Sequence, residues 1–156
     1  MAFQVTCRST IFLIQSLQNR GIAICDHNGL TKGLKIMKLP GPDHPITITT
    51  NPKRVRVLAD GVVIAETTHA LTLKEASYPA VQYVPRADAK MELLKRTDRV
   101  THCPYKGDAS YFSVVASGKA IENAIWTYET PFPAMAEISG HLAFYPDKVK
   151  IEEVAS

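Results

Sequence analysis

The sequence lacks any paired-cysteine motif. Its three cysteines, Cys7, Cys25 and Cys103, share no C-x-x-C spacing. An odd number of cysteines without repeated spacing excludes a disulfide framework, and the missing C-x-x-C motif excludes a structural zinc site of the usual kind. Because reduced thiols are the ordinary state of cysteine in the cytosol, a cytoplasmic location is expected.

Long apolar runs and nucleotide-binding loops are also missing. The longest apolar run near the start, Ile11–Ile14, is too short for a membrane span or a secretory signal. Neither G-x-x-x-x-G-K nor G-x-G-x-x-G occurs, and the G-x-S-x-G motif of serine hydrolases is absent. The five histidines show no metal-type spacing such as H-x-x-x-H. The sequence therefore predicts no membrane association, no cofactor and no histidine-based metal site.

The chain also lacks a large excess of positive or negative charge. Lys and Arg number 18 against 15 Asp and Glu, a net charge of +3, and the basic residues form no run. A nucleic-acid partner is therefore not expected. The length of 156 residues fits one domain, and a hydrophobic fraction of 46% is enough for a buried core. These numbers leave a monomer and a homodimer equally open.

Residues 1–36 differ from the rest of the chain, because Asp26 is their only acidic residue. Their basic residues are Arg8, Arg20, Lys32 and Lys35. Three interpretations stay open: a disordered or loosely docked extension, an organellar-type presequence, or sequence upstream of the true start. A domain could plausibly begin at Met37, which favours either a disordered or loosely docked extension or sequence upstream of the true start. A single β-rich domain is predicted over residues 37–153.

From Ile46 onward the apolar residues alternate with a period of two, which is typical of β-strands. Asp60-Gly61 separates two β-branched runs, and it predicts a two-residue hairpin because both turn positions need a positive φ. The predicted strands cover residues 46–49, 54–58, 62–65, 69–74, 81–84, 109–115, 124–128, 141–145 and 149–151. The last two are predicted to pair through a Pro146-Asp147 turn.

Helical signals are short. Asp88 is predicted to cap a helix over Ala89–Lys95, and Ala134–Ile138 to form one helical turn. Short strands with turn signals between them, and no long helices, predict a mainly β fold. The expected architecture is a single small sandwich or a partly open barrel with one or two short helices.

The chemically richest segment is the predicted loop Thr101–Asp108. Pro104 fixes its own φ and Gly107 tolerates a positive φ, so the loop is expected to be a shaped turn. Positive charge near Cys103 would favour the thiolate needed for nucleophilic or redox chemistry, although a buried structural cysteine is the alternative. Lys106 can bind an anionic ligand as a point charge or simply be solvated.

Aromatic residues lie on the predicted strands at Tyr83, Tyr111, Trp126 and Tyr128. Tyr and Trp on one sheet face line a pocket with hydrogen-bonding tips, or they belong to the core. Glu75 ends an apolar strand and can face the same pocket as a general base or a ligand anchor. The alternative is a solvated charge at the strand end.

Six blocks of the sequence form a familiar combination. They are residues 37–46, the Asp60-Gly61 hairpin, Glu75–Pro79 with Tyr83–Pro85, His102–Tyr111, Trp126–Pro131 and Gly140–Pro146. Together they resemble the bacterial and fungal domain of unknown function family 427, also labelled nucleotidyltransferase-like. The resemblance covers about residues 37–153. It implies a β-tent-like fold, similar in outline to methionine sulfoxide reductase B and the ligand-binding domain of cereblon, and no particular reaction.

The resemblance also implies a common pocket. Its residues would be Glu75, Tyr83, Cys103, Lys106, Tyr111, Trp126 and Tyr128. Zinc-bearing relatives of the fold use paired C-x-x-C motifs, which this chain lacks, so no metal is expected. Nucleotidyl transfer is not supported either, because the chain has neither a Gly-Ser motif followed by paired carboxylates nor a phosphate loop.

The resulting prediction is a polar aromatic pocket that binds or acts on a small molecule. Cys103, Lys106 and Glu75 are its candidate catalytic residues, and Tyr83, Tyr111, Trp126 and Tyr128 its candidate ligand-binding residues. One alternative is a non-catalytic module for a protein or peptide partner. The second is a thiol-redox protein that uses Cys103.

Overall fold

The computed structural model describes residues 36–155, so the three interpretations of the N-terminal segment fall almost wholly outside it. The described chain forms ten strands and three short 3-10 helices. The strands are β1 (Ile46–Thr50), β2 (Arg54–Ala59), β3 (Val62–Thr67), β4 (Leu71–Glu75), β5 (Val81–Pro85), β6 (Leu94–Cys103), β7 (Gly107–Ala116), β8 (Lys119–Thr127), β9 (His141–Phe144) and β10 (Lys150–Val154). The 3-10 helices are Arg86–Asp88, Met91–Leu93 and Pro133–Ile138.

The strands build two antiparallel sheets. The larger has seven strands in the order β1-β4-β5-β9-β8-β7-β6, and the smaller has three in the order β10-β2-β3. The mainly β prediction is thus confirmed, and within the described residues neither sheet closes into a barrel. No helix among residues 36–155 has the length and apolar character required to cross a bilayer.

Two tight hairpins follow from residues that adopt a positive φ. Asp60 and Gly61, at +47° and +79°, join β2 to β3 with Ala59 opposite Val62, which confirms the predicted turn. Ser117 and Gly118 do the same between β7 and β8, at +51° and +74°. This second hairpin was not predicted, and its strand β8 begins at Lys119, five residues before the predicted start.

The core lies between the two sheets. Because side chains alternate along a strand, one face of the large sheet presents Val84, Phe112 and Ile125 to Val57 and Ile64 of the small sheet, all at most 3% exposed. The next residues along the same strands face the other way. That second face carries a separate cluster, which includes the aromatic residues singled out by the sequence.

The predicted helix over Ala89–Lys95 is wrong. Only Met91–Leu93 forms a 3-10 turn, and Leu94 and Lys95 already belong to β6, where they pair with Val114 and Ser113. Pairing with a long neighbouring strand overrides a weak helical spacing. Asp88 caps no helix, and its carboxylate instead accepts a 2.6 Å hydrogen bond from the Thr67 hydroxyl.

The predicted pairing of the last two strands is also wrong. β9 lies between β5 and β8 in the large sheet, whereas β10 pairs with β2 in the small one. The segment around Pro146-Asp147 therefore carries the chain from one sheet to the other. Local alternation predicted where the two strands lie in the sequence. The strand with which each one pairs depends on contacts between residues that are far apart in the sequence.

Candidate functional site

A cavity of about 200 Å³ opens on the second face of the large sheet. We call it the tyrosine pocket, because five of the chain's six tyrosines line it. Its lining residues are Leu73, Glu75, Tyr78, Pro79, Val81, Tyr83, Lys106, Tyr111, Trp126, Tyr128 and Tyr145. The volume is below the roughly 300–1,000 Å³ of typical drug-sized sites, so it suits a small ligand.

Sheet register positions the aromatic walls. Tyr83 of β5 and Trp126 of β8 both lie opposite Ala143 of the intervening strand β9, and Tyr111 of β7 lies opposite Trp126. These residues form one row across four strands and share one face. The small side chain of Ala143 lets the Tyr83 phenol and the Trp126 indole approach each other across β9.

A buried ion pair lies at one side of the pocket. The Lys106 amine is 2.5 Å from one Glu75 carboxylate oxygen, and the His44 Nε2 is 2.9 Å from the other. The Lys106 side chain is only 6% exposed, although it belongs to a turn. Lysine is almost never buried without a partner, so Glu75 is what allows Lys106 to occupy this position. A weak contact of 3.8 Å joins the same amine to the Cys103 sulfur.

Backbone geometry fixes Lys106. Strand β6 extends to Cys103 and β7 starts at Gly107, so the loop predicted over residues 101–108 is reduced to a three-residue turn. Gly107 has a φ of +103°, and a Cβ there would lie 3.5 Å from the carbonyl oxygen of Thr130. The Phe132 amide donates a 3.0 Å hydrogen bond to the Lys106 carbonyl. The turn is therefore held against residues 130–132.

Residues before β1 cover the other side of the ion pair. The Lys38 amide donates a 2.7 Å hydrogen bond to the Pro104 carbonyl. The His44 ring stacks on Tyr105, with centroids 4.1 Å apart and planes 7° apart. His44 is therefore held in place by both Glu75 and the β6–β7 turn.

The electrostatics of the pocket keep its acid charged and its phenols neutral. Burial alone would raise the pKa of Glu75, but hydrogen bonds from His44 and Lys106 and the ammonium charge outweigh it, and the pKa lies below its ordinary value. Burial raises the pKa of Tyr128 far above the ordinary value of a phenol. It does the same for Tyr83, against a smaller opposing hydrogen bond from Trp126.

The structure brings together six of the seven residues singled out from the sequence. Glu75, Tyr83, Lys106, Tyr111, Trp126 and Tyr128 line the same pocket. Cys103 is half-buried and contacts Lys106 without being part of the lining. Among residues 36–155 no group of three or more His, Cys, Asp or Glu side chains is arranged to hold a metal ion.

Sequence reasoning missed His44, Tyr78 and Tyr145. Tyr78 follows Glu75 in a block already singled out, and Tyr145 directly follows β9, so both carried a local signal. His44 had none, because it reaches Glu75 only through the pairing of β1 with β4, in which Ile46 lies opposite Glu75. The two residues are 31 positions apart in the chain.

The lowered pKa of Glu75 predicts a specific acid dependence. Its contribution to stability is complete above the unfolded value of 4.5 and is lost as the pH falls through the lower folded value. The difference in unfolding free energy between the wild-type protein and Glu75→Gln should therefore shrink below that pH. Urea unfolding of both proteins between about pH 3 and pH 7 measures it. A difference that stays constant with pH would contradict an ionised Glu75.

Comparison with known proteins identifies the family of the chain. The family model described as "Domain of unknown function (DUF427)" matches residues 47–155. It agrees with the resemblance noted from the sequence blocks. No curated protein matches the chain.

Proposed function

Since the chain belongs to the DUF427 family, a classification that names no activity, we propose a function from its pocket: the protein binds a small molecule there. Trp126 and the tyrosines provide the walls, and Lys106 provides the polar contact. Glu75 holds the Lys106 amine in place through their ion pair.

One observation carries this proposal: a buried lysine, paired with Glu75, lines a cavity. Removing an ion pair from water costs several kcal/mol per ion, and apolar residues of similar volume often give a more stable protein. Stability alone therefore does not favour Lys106 and Glu75 at this position. Binding of a ligand to the Lys106 amine would explain why this ion pair lines the cavity.

The same contacts suit proton transfer, which makes acid–base catalysis the second candidate function. Glu75 connects the buried Lys106 amine to His44, whose side chain is 26% exposed. In such a step Lys106 would give a proton to a bound molecule, Glu75 would pass on to the amine the proton that it takes from His44, and solvent would reprotonate His44, which leaves Glu75 a carboxylate again. General acids act at this kind of hydrogen-bonding distance.

Two other hypotheses receive less support from the geometry. A peptide-binding module would need a long, shallow groove, whereas this pocket is small and has a buried charge pair in its wall. A thiol-redox function rests on Cys103, which lies beside Lys106 but outside the lining. Both stay predictions.

A fragment screen tests the binding proposal. The chain has one tryptophan, and Trp126 lines the pocket, so tryptophan fluorescence reports on this site alone. A ligand present at tenfold its Kd should add about 1.4 kcal/mol to the unfolding free energy and raise the Tm by about 3–6 °C. Both signals should be lost in Lys106→Met and kept in Lys119→Met, which changes an exposed lysine.

A cysteine variant separates the alternatives. Cys103→Ser should keep the ligand-induced rise in Tm if binding is the function of the pocket. Loss of that rise in Cys103→Ser would favour the thiol hypothesis. A broad library of aromatic, amide, carboxylate and amine fragments that changes neither the fluorescence nor the Tm would overturn the binding proposal.

A further inference from the structure

We propose that the ligand of the tyrosine pocket is an uncharged, flat molecule that presents a carbonyl-type oxygen to Tyr128 and Lys106. This inference rests on the proposed function and narrows it to one chemical class. Three features of the pocket carry it: an unused hydroxyl, an unused ammonium N–H group and a balance of charge.

The unused hydroxyl belongs to Tyr128. This residue is 7% exposed and lines the pocket, and no hydrogen bond joins its hydroxyl to a residue in the range 36–155. The hydroxyl is not sealed from solvent, because Arg56 Nε is the one fully buried side-chain polar atom without a partner among these residues. It therefore reaches the cavity, where the acceptor oxygen of a ligand would replace water. Because burial raises its pKa, the hydroxyl keeps its proton and is available as a donor.

The second donor is Lys106. Its ammonium group has three N–H bonds, of which one is directed to Glu75 and one, weakly, to the Cys103 sulfur. Within the described residues the third N–H has no acceptor. Two donors that line one small cavity therefore define a site for a ligand oxygen that accepts hydrogen bonds.

The charges of the pocket favour a neutral ligand. Among its lining residues Lys106 and Glu75 carry opposite charges and cancel. A carboxylate bound to Lys106 would lie beside the Glu75 carboxylate and be repelled by it. It would also face aromatic rings, whose faces carry negative potential.

A cation is disfavoured for the opposite reason. It would meet the Lys106 ammonium, and the Glu75 oxygens already accept bonds from Lys106 and His44. Arg99 lies over the Tyr111 ring at 4.7 Å but is exposed and outside the lining, so solvent and salt screen its charge. An uncharged oxygen acceptor fits both donors without adding a buried charge.

The walls favour a flat body. Trp126 and Tyr145 pack against each other, with ring centroids 4.6 Å apart and an angle of 49° between the planes, and further tyrosines close the remaining sides, so most of the lining consists of aromatic rings. Aromatic rings prefer offset or edge-to-face contacts with other rings at about this separation. With a cavity of about 200 Å³, a single ring with one polar substituent is the appropriate size.

Three probes of nearly identical shape test the charge class: benzamide, benzoate and benzamidine. At neutral pH they are uncharged, anionic and cationic, respectively. Each is titrated into the full-length protein, with Trp126 fluorescence and amide chemical shifts as readouts. Benzamide should bind with a Kd on the order of 1 mM, about tenfold or more below the Kd of either charged probe.

A matched pair of variants tests the Tyr128 donor. Tyr128→Phe removes only a hydroxyl that lacks a protein partner, so the protein should keep its fold and Tm while its benzamide affinity falls about fivefold. Tyr105→Phe is the control, because Tyr105 is the one tyrosine outside the lining. It should leave the benzamide affinity unchanged.

Several outcomes would overturn the inference. If benzoate or benzamidine bound at least as tightly as benzamide, the charge class would be wrong, while the proposal of small-molecule binding would stand. Equal benzamide affinity of Tyr128→Phe and wild-type protein would remove the donor argument. If no probe bound while the fragment screen gave other ligands, the inference of a carbonyl ligand would be wrong, but the proposal of small-molecule binding would stand. Only a screen without ligands removes the proposed function as well.

Discussion

Replacing Lys106 with methionine is expected to lower the free energy of unfolding by about 3 kcal/mol. The substitution keeps the length of the side chain but leaves the Glu75 carboxylate without its buried counter-ion. Removing one partner of a buried pair typically costs about 3–5 kcal/mol. The lower end applies here because Glu75 is 18% exposed and keeps its hydrogen bond to His44.

Glu75→Gln and the double variant complete a cycle that isolates the ion pair. The double variant should lose less stability than the sum of the two single variants, with a coupling energy of about 2 kcal/mol. Urea unfolding followed by far-UV circular dichroism measures all four proteins. Lys119→Met, at an exposed position, should change stability by no more than about 0.5 kcal/mol. Additive effects of the two single variants would mean that Lys106 and Glu75 do not interact in the folded protein.

Gly107→Ala is expected to have a similarly large effect and to lower the free energy of unfolding by about 3 kcal/mol. The φ of +103° lies beyond the left-handed region that other residues occupy. The new Cβ would make only ordinary van der Waals contacts, 3.5 Å from the Thr130 carbonyl oxygen and 3.6 Å from the Phe132 nitrogen, so the strain comes from the backbone φ. Because Gly107 follows Lys106, the strain would displace the turn that holds the amine.

Gly118→Ala provides the matched comparison. Gly118 also has a positive φ, at +74°, but a Cβ there would meet nothing within 4 Å. It should cost only about 1 kcal/mol and leave Trp126 fluorescence unchanged. Chemical denaturation gives the two stabilities, and the fluorescence spectrum reports whether the pocket is disturbed. Equal losses for the two alanine variants would show that a φ of +103° costs alanine no more than a φ of +74°.

Local chemistry made much of the fold predictable from the sequence. Asp60-Gly61 specified its hairpin because few residues accept two consecutive positive φ angles. Alternation along the strands correctly placed Trp126 and Tyr128 on one face and Ile125 on the other. The family resemblance predicted a common pocket for Glu75 and Lys106. In the structure the end of β4 and the β6–β7 turn bring the two side chains within hydrogen-bonding distance.

Features that depend on distant pairing could not be predicted. The segment over Ala89–Lys95 had acceptable helical spacing, and only its neighbour β7 turns Leu94 and Lys95 into a strand. β9 and β10 are close in sequence but pair in different sheets. His44 joins the site because it precedes the edge strand β1, which pairs with β4. Strand β4 ends at Glu75, 31 residues after His44. In each case tertiary contacts decided what the local pattern left open.

The position of His44 has a consequence for how relatives are compared. The family match begins at residue 47, so one of the two partners of Glu75 lies inside the matched region and the other lies three residues before it. Lys38, which bonds to the β6–β7 turn, also precedes the match. Alignments trimmed to the family boundary therefore omit part of the polar cluster. A comparison of relatives therefore needs the residues before position 47, which hold one of the two groups that hydrogen-bond to the same carboxylate.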